Sequence, residues 1–276
     1  MIKRIVAIIF TVFFISSCTT IELREEEAFD VKRSIAPDYF AGSDYDIEEI
    51  KFFSGDSLLL NGWWITQDSS LGTVLYFGGN GFVMVTSFHI INSIIEQNVD
   101  LMIFDYRGYG KNPGKPSVAG LKADGLAAYD FLDRERGVDA KKLILHGHSL
   151  GSFMASYVAD KRDAAGLVLE SPVTDVKDWT GRLVPWLLKP FVRFDIDPVL
   201  KENNNIERLS DLDIPLLIVT GNSDQITPPG MAEKLYDKAA AGDKELVIIE
   251  NGGHNDLPQR NEYTTALRRF YQKILK

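Results

Sequence analysis

Gly147-His148-Ser149-Leu150-Gly151 sets a hydroxyl nucleophile between two glycines. A serine in that frame does chemistry when the chain turns sharply beneath it and lifts its oxygen clear of the backbone. Such a turn crowds the main chain, and a glycine hydrogen in place of Cβ relieves the crowding. Leu143 to His146 read as the strand before the turn, and Leu150 onward as the helix after it. The sequence holds four histidines. His89, His146 and His148 precede Ser149, and His254 follows it in Asn251-Gly252-Gly253-His254-Asn255-Asp256. His146 and His148 share a strand end but lack a third ligand at metal spacing, so they read as packing or loop residues. No nucleotide cofactor is implied. Gly114-Lys115 falls short of a P-loop because Tyr109 stands at its first glycine position and Pro116 at its hydroxyl position, and the run from Gly79 to Met84 lacks the third glycine of a dinucleotide fingerprint.

These side chains need a scaffold, and the apolar pattern predicts one. Ile47 to Phe53 and Leu58 to Ile65, joined by Ser54-Gly55-Asp56-Ser57, read as an antiparallel hairpin. Thr73 to Phe77, Leu101 to Phe104, Leu143 to His146, Gly166 to Leu169, Leu216 to Thr220 and Leu246 to Ile249 are mostly continuous apolar runs, as strands covered on both faces should be. Between them Met84, Phe88, Ile91 and Ile95, then Val118 to Leu132, then Leu150 to Val158 carry the three-and-four spacing of helices, and Tyr263 to Ile274 forms a last one. The expectation is a mostly parallel, doubly wound eight-stranded α/β sheet with an antiparallel start. Residues 173–209 break the rhythm with Trp179, Leu183, Trp186, Leu187, Phe191 and Phe194 among basic residues. They read as a helical lid over the strand ends, with a helix pair packed on the core or a membrane-surface element as alternatives.

In this arrangement the chain resembles the α/β-hydrolase superfamily over roughly residues 46–276. That resemblance implies a serine, acid, histidine order. It makes Ser149 the nucleophile, His254 the base and Asp224, in Gly221-Asn222-Ser223-Asp224-Gln225-Ile226-Thr227-Pro228, the acid, with Glu170 and Asp175 as substitutes. The oxyanion donors would be the Leu150 N–H and an N–H of Gly78-Gly79-Asn80-Gly81, from Gly79 or Asn80; Phe77 stands where the superfamily usually has histidine. Asp105-Tyr106-Arg107-Gly108-Tyr109-Gly110 resembles the corresponding loop of abhydrolase-domain serine esterases and thioesterases, where Asp105 and Arg107 would tie loops together near the site. The implied activity is hydrolysis of a small acyl ester or thioester without metal or cofactor. A serine peptidase or amidase, or a ligand-binding envelope protein on the same fold, is the alternative.

Lys3 and Arg4 precede an apolar run from Ile5 to Ile15 and then Ser16-Ser17-Cys18, the order of a signal peptide over residues 1–17. The run is too short to span a bilayer, which takes about 20 residues. Ile15-Ser16-Ser17-Cys18 resembles a bacterial lipobox, which would make Cys18 the acylated N-terminus, carrying palmitate or a similar chain, of an envelope protein lipid-anchored to a membrane. Thr19 at the next position leans toward the outer membrane, facing the periplasm. Residues 18–45 read as a tether. With 30 basic and 39 acidic residues the net charge is −9, against a nucleic-acid partner.

Overall fold

The computed structural model describes residues 19–33 and 46–276. The expected signal peptide, Cys18 and residues 34–45 of the expected tether lie outside the described residues. The strands are β1 (Thr19–Leu23), β2 (Asp46–Phe53), β3 (Leu59–Thr66), β4 (Thr73–Phe77), β5 (Asp100–Phe104), β6 (Leu143–His148), β7 (Gly166–Glu170), β8 (Val192–Ile196), β9 (Leu216–Gly221) and β10 (Lys244–Ile249). The helices are α1 (Phe88–Ile95), α2 (Val118–Arg136), α3 (Leu150–Lys161), α4 (Val176–Leu183), α5 (Pro198–Lys201), α6 (Asn205–Asp211), α7 (Pro229–Lys238) and α8 (Asn261–Ile274).

Eight strands form one sheet in the order β10-β9-β7-β6-β4-β5-β3-β2. β3 runs antiparallel to both β2 and β5, and the other neighbours are parallel. The sheet needs two apolar faces because helices cover both, and the central strands supply them by alternation. Leu75, Phe77 and Leu145 pack on one side with α2 and α3, while Val74, Tyr76 and Ile144 pack on the other with α1 and α8. Helix ends follow local chemistry. Ser117 caps α2 by accepting from Gly120 N–H at 3.0 Å, and Gly137 ends it in the left-handed region at φ 66°.

Two expectations need correction. The start of the expected tether is not detached chain: β1 pairs in parallel with β8, Thr19 opposite Val192 through Leu23 opposite Ile196. Its sequence shows little periodicity because β1 is largely solvent-exposed and takes its register from its partner. The insertion at 173–209 is not wholly helical. Val192-Arg193-Phe194-Asp195-Ile196 alternates in burial as an edge strand does, and α6 packs its buried Leu209 on the body. Asn205 fastens that end, donating to Ser152 Oγ at 3.0 Å and to the Val173 carbonyl at 2.8 Å.

Candidate active site

The turn between β6 and α3 carries Ser149 at φ 52° and ψ −115°, a conformation L-residues avoid unless the surroundings impose it. The glycines on either side make it possible. A Cβ on Gly147 would sit 2.3 Å from the Gly151 carbonyl oxygen, and one on Gly151 would sit 2.0 Å from the Phe77 carbonyl oxygen. The Ser149 N–H donates to the Glu170 carbonyl at 3.0 Å, locking the turn to the end of β7.

β9 and β10 bring the other two groups together. Ile249 lies opposite Gly221 in their parallel register, so the following loops emerge side by side. A Cβ on Gly221 would stand 2.1 Å from the Gly252 carbonyl oxygen. His254 Nε2 lies 3.0 Å from Ser149 Oγ, and His254 Nδ1 lies 2.8 Å from Asp224 Oδ2. Asp224 Oδ1 accepts from the Ile226 and Thr227 N–H groups, each at 2.8 Å, and Oδ2 accepts from the Thr227 hydroxyl at 2.8 Å. Burial opposes charge on Asp224, but His254 and the Thr227 donors outweigh it and hold the carboxyl below its ordinary range.

The substitute acids lie elsewhere. Asp175 caps α4 by accepting from Asp178 N–H at 2.7 Å. Glu170 is buried behind the sheet end, accepting from the Tyr263 hydroxyl at 2.8 Å with His146 Nε2 at 3.3 Å. His148 has a role beyond packing. Its Nε2 lies 3.0 Å from the His254 carbonyl oxygen, and an N–H donated there braces the loop that carries His254. Burial lowers the affinity of His148 for a second proton, against the pull of Glu170.

Gly79 faces Ser149: a Cβ on it would lie 2.8 Å from His148 Nδ1 and 3.4 Å from Ser149 Cβ. Leu150 is the first residue of α3, where N–H groups have no partner within the helix. The Asn80 side chain is bonded to the N-terminal segment, its Oδ1 accepting from Asp30 N–H at 2.8 Å and its Nδ2 donating to the Ala28 carbonyl at 3.0 Å. Asp105 and Arg107 tie loops as expected, though not to each other. Asp105 accepts from Met84 N–H at 2.8 Å, and Arg107 joins Asp124 of α2 to Asp56 in the β2–β3 turn.

Over Ser149 lies a cavity of about 460 Å³ whose lining includes Phe29, Phe153, Val176, Trp179, Leu200 and Ile226. Leu23 and Ala28 to Asp30 complete a wall that sequence reasoning missed. Phe29 amid acidic residues was the one signal available. Thr227 was missed as well, although a loop aspartate commonly accepts from the backbone just after it, as Asp224 does from Ile226. Among the described residues no cluster of His, Cys, Asp and Glu could hold a metal ion.

The family described as "Serine aminopeptidase, S33" matches residues 68–204 and 199–259. The chain belongs to this family of α/β hydrolases. A Mycobacterium tuberculosis relative of this hydrolase, described as an uncharacterized protein, is 35% identical over 234 residues, which is 83% of this chain and 79% of the relative. A Saccharomyces cerevisiae relative described as an uncharacterized membrane protein is 30% identical over 229 residues, 81% of this chain and 78% of its own. The hydrolase fold is that of the Pyrococcus furiosus esterase Pf2001, with a TM-score of 0.74 at 18% identity, covering 92% of this chain and all of that one.

Proposed function

We propose that this hydrolase cleaves an acyl ester or thioester through a covalent acyl intermediate on Ser149. The observation that carries the reading is the strained Ser149, its hydroxyl 3.0 Å from an imidazole whose other nitrogen lies 2.8 Å from a buried carboxylate. Ser149 Oγ attacks the acyl carbon as His254 Nε2 takes its proton. The carbonyl oxygen becomes an oxyanion held by the Leu150 and Gly79 N–H groups, each such donor contributing ~3 kcal/mol. The tetrahedral species collapses, the C–O or C–S bond breaks, and the leaving oxygen or sulfur takes the proton from His254. Water then gives a proton to His254 and attacks the acyl-enzyme; the second collapse returns the proton to Ser149 and frees the acid. Asp224 holds the imidazole in the tautomer that faces Ser149 with an unprotonated nitrogen.

The largely apolar cavity supports an acyl group with a hydrocarbon portion. A second reading, cleavage of a peptide with a free amine, draws on the family's description and on Glu27 and Asp30 in the lining. Ser149→Ala is expected to abolish both fluorophosphonate labelling and hydrolysis of short p-nitrophenyl esters; undiminished labelling of that variant refutes the assignment. A panel of acyl esters, thioesters and aminoacyl amides separates the two readings. The same proposal places the protein at the cell envelope, held to a membrane by a lipid on Cys18, and mass spectrometry of the mature N-terminus tests that part.

A further inference from the structure

The turn between α4 and β8 is apolar and open to water. Leu183, Trp186, Leu187, Leu188 and Phe191 are exposed, Trp186 to 76%. Large apolar groups at this density on a surface mark an interaction site. From Trp179 to Phe194 the chain carries Arg182, Lys189 and Arg193 and no Asp or Glu, in a protein of net charge −9. Exposed aromatic and aliphatic groups interleaved with cations match the boundary between acyl chains and anionic headgroups.

The pairing of β1 with β8 supplies the second argument. The strands are parallel and begin together, Thr19 opposite Val192. The chain therefore enters β1 and β8 from the same end of this small sheet, at Thr19 and Val192. The facing carboxylates Glu22 and Asp195 stand three residues further along, about 10 Å away at ~3.3 Å per residue. The apolar turn and the point where the described chain enters β1 thus share one end; Glu22 and Asp195 are set back from it, while Asp178 of α4 lies 3.4 Å from Arg182 and leaves Lys189 and Arg193 as the turn's cations.

We propose that the Leu183 to Phe191 turn docks on an anionic phospholipid bilayer, the one that holds the N-terminus, and that the acyl substrate enters from it. The proposal rests in part on the reading of Cys18 as a lipid anchor. The cavity fits this placement. Leu23 at the end of β1 and Phe29 beyond it line one wall, and Val176 and Trp179 on the other belong to α4 before the turn. An acyl chain withdrawn between these segments meets Ser149.

The test uses the full-length protein in phosphatidylcholine–phosphatidylglycerol vesicles containing brominated acyl chains. Trp63 and Trp64 are buried and Trp179 donates its N–H to the Ile226 carbonyl, leaving Trp186 as the indole most open to lipid. Bromolipid is expected to quench wild-type emission, and Trp186→Phe to lose most of the quenchable fraction while hydrolysing p-nitrophenyl acetate within twofold of wild type. Leu187→Glu combined with Leu188→Glu is expected to slow hydrolysis of a vesicle-embedded ester at least tenfold and to spare the soluble one. Absence of quenching, or equal quenching in wild type and Trp186→Phe, overturns the proposal. Trp186 shielded from acrylamide in a dimer instead assigns the turn to a second copy, and shielded in a monomer without lipid assigns it to residues 1–18. Ser149→Ala protein should quench like wild type, so failure of the hydrolase reading leaves the docking result separately legible.

Discussion

Asp224→Asn is the sharpest test of the proposed proton path, because the surroundings dictate how the new amide must sit. Asp224 Oδ1 accepts from two backbone N–H groups, Ile226 and Thr227, each at 2.8 Å. An asparagine keeps its oxygen there, since turning its NH₂ toward those donors would set N–H against N–H and lose both bonds. The NH₂ therefore takes the place of Oδ2, 2.8 Å from His254 Nδ1, and donates to it. Nδ1 then carries no hydrogen, and the neutral ring's proton moves to Nε2, facing Ser149. The base arrives already protonated on the wrong side. The loss of kcat expected for this inversion is about 10⁴-fold, or about 5.5 kcal/mol of transition-state stabilisation. Steady-state hydrolysis of p-nitrophenyl butyrate measures it, with circular dichroism and a thermal melt to establish that the variant is folded. A folded Asp224→Asn enzyme that loses less than tenfold in kcat refutes the role given to the carboxylate.

His148→Ala removes the brace on the His254 carbonyl and is expected to lower kcat by about 10- to 100-fold with little change in KM, since small misplacements of a reacting group cost that much; a pure KM effect would contradict it. Burial raises the Asp105 carboxyl from 3.8 to about 6, so between about pH 4 and pH 6 the folded chain keeps a proton that the unfolded chain releases. Stability therefore falls as pH rises through that window, by on the order of 3 kcal/mol from this group. Urea titrations at several pH values should show Asp105→Asn gaining on wild type from pH 4 to pH 6.5, and parallel curves would remove the effect. Phe29→Ala trims the N-terminal wall of the cavity and should cut kcat/KM for an octanoyl ester about tenfold while leaving the acetyl ester within twofold, as expected for losing part of a buried aromatic contact; equal losses on both esters would place Phe29 outside the acyl path.

The sheet was legible because its central strands are buried on both faces and so read as unbroken apolar runs. Ser149 was legible because both neighbouring glycines meet backbone oxygens that leave no room for a Cβ. His254 was reached through chain order, there being four histidines and one after the serine. The N-terminal wall was not legible. Ala28 and Asp30 are held by Asn80, fifty-odd residues away, and a hydrogen bond to a distant side chain leaves no local period. β8 was missed although Val192 to Ile196 alternates apolar and charged residues as a strand does; five residues inside a stretch rich in helix-like apolar spacing carry little weight, and its pairing with β1 is set by a partner far off in the chain. Asp105 and Arg107 were rightly grouped as loop ties, but their separate partners, Met84 N–H and the Asp56–Asp124 pair, depend on how three loops meet in space.

Asn80 sits in the loop beside Gly79 and grips Ala28 and Asp30 from there. Residues 28–30 are thereby clipped to the rim of the candidate site, so on the proposed function this segment is a working part of the enzyme. A recombinant form beginning after Asp30 would be an enzyme with a missing jamb. Its wider doorway would admit bulkier acids, and its selectivity would describe the truncation more than the protein.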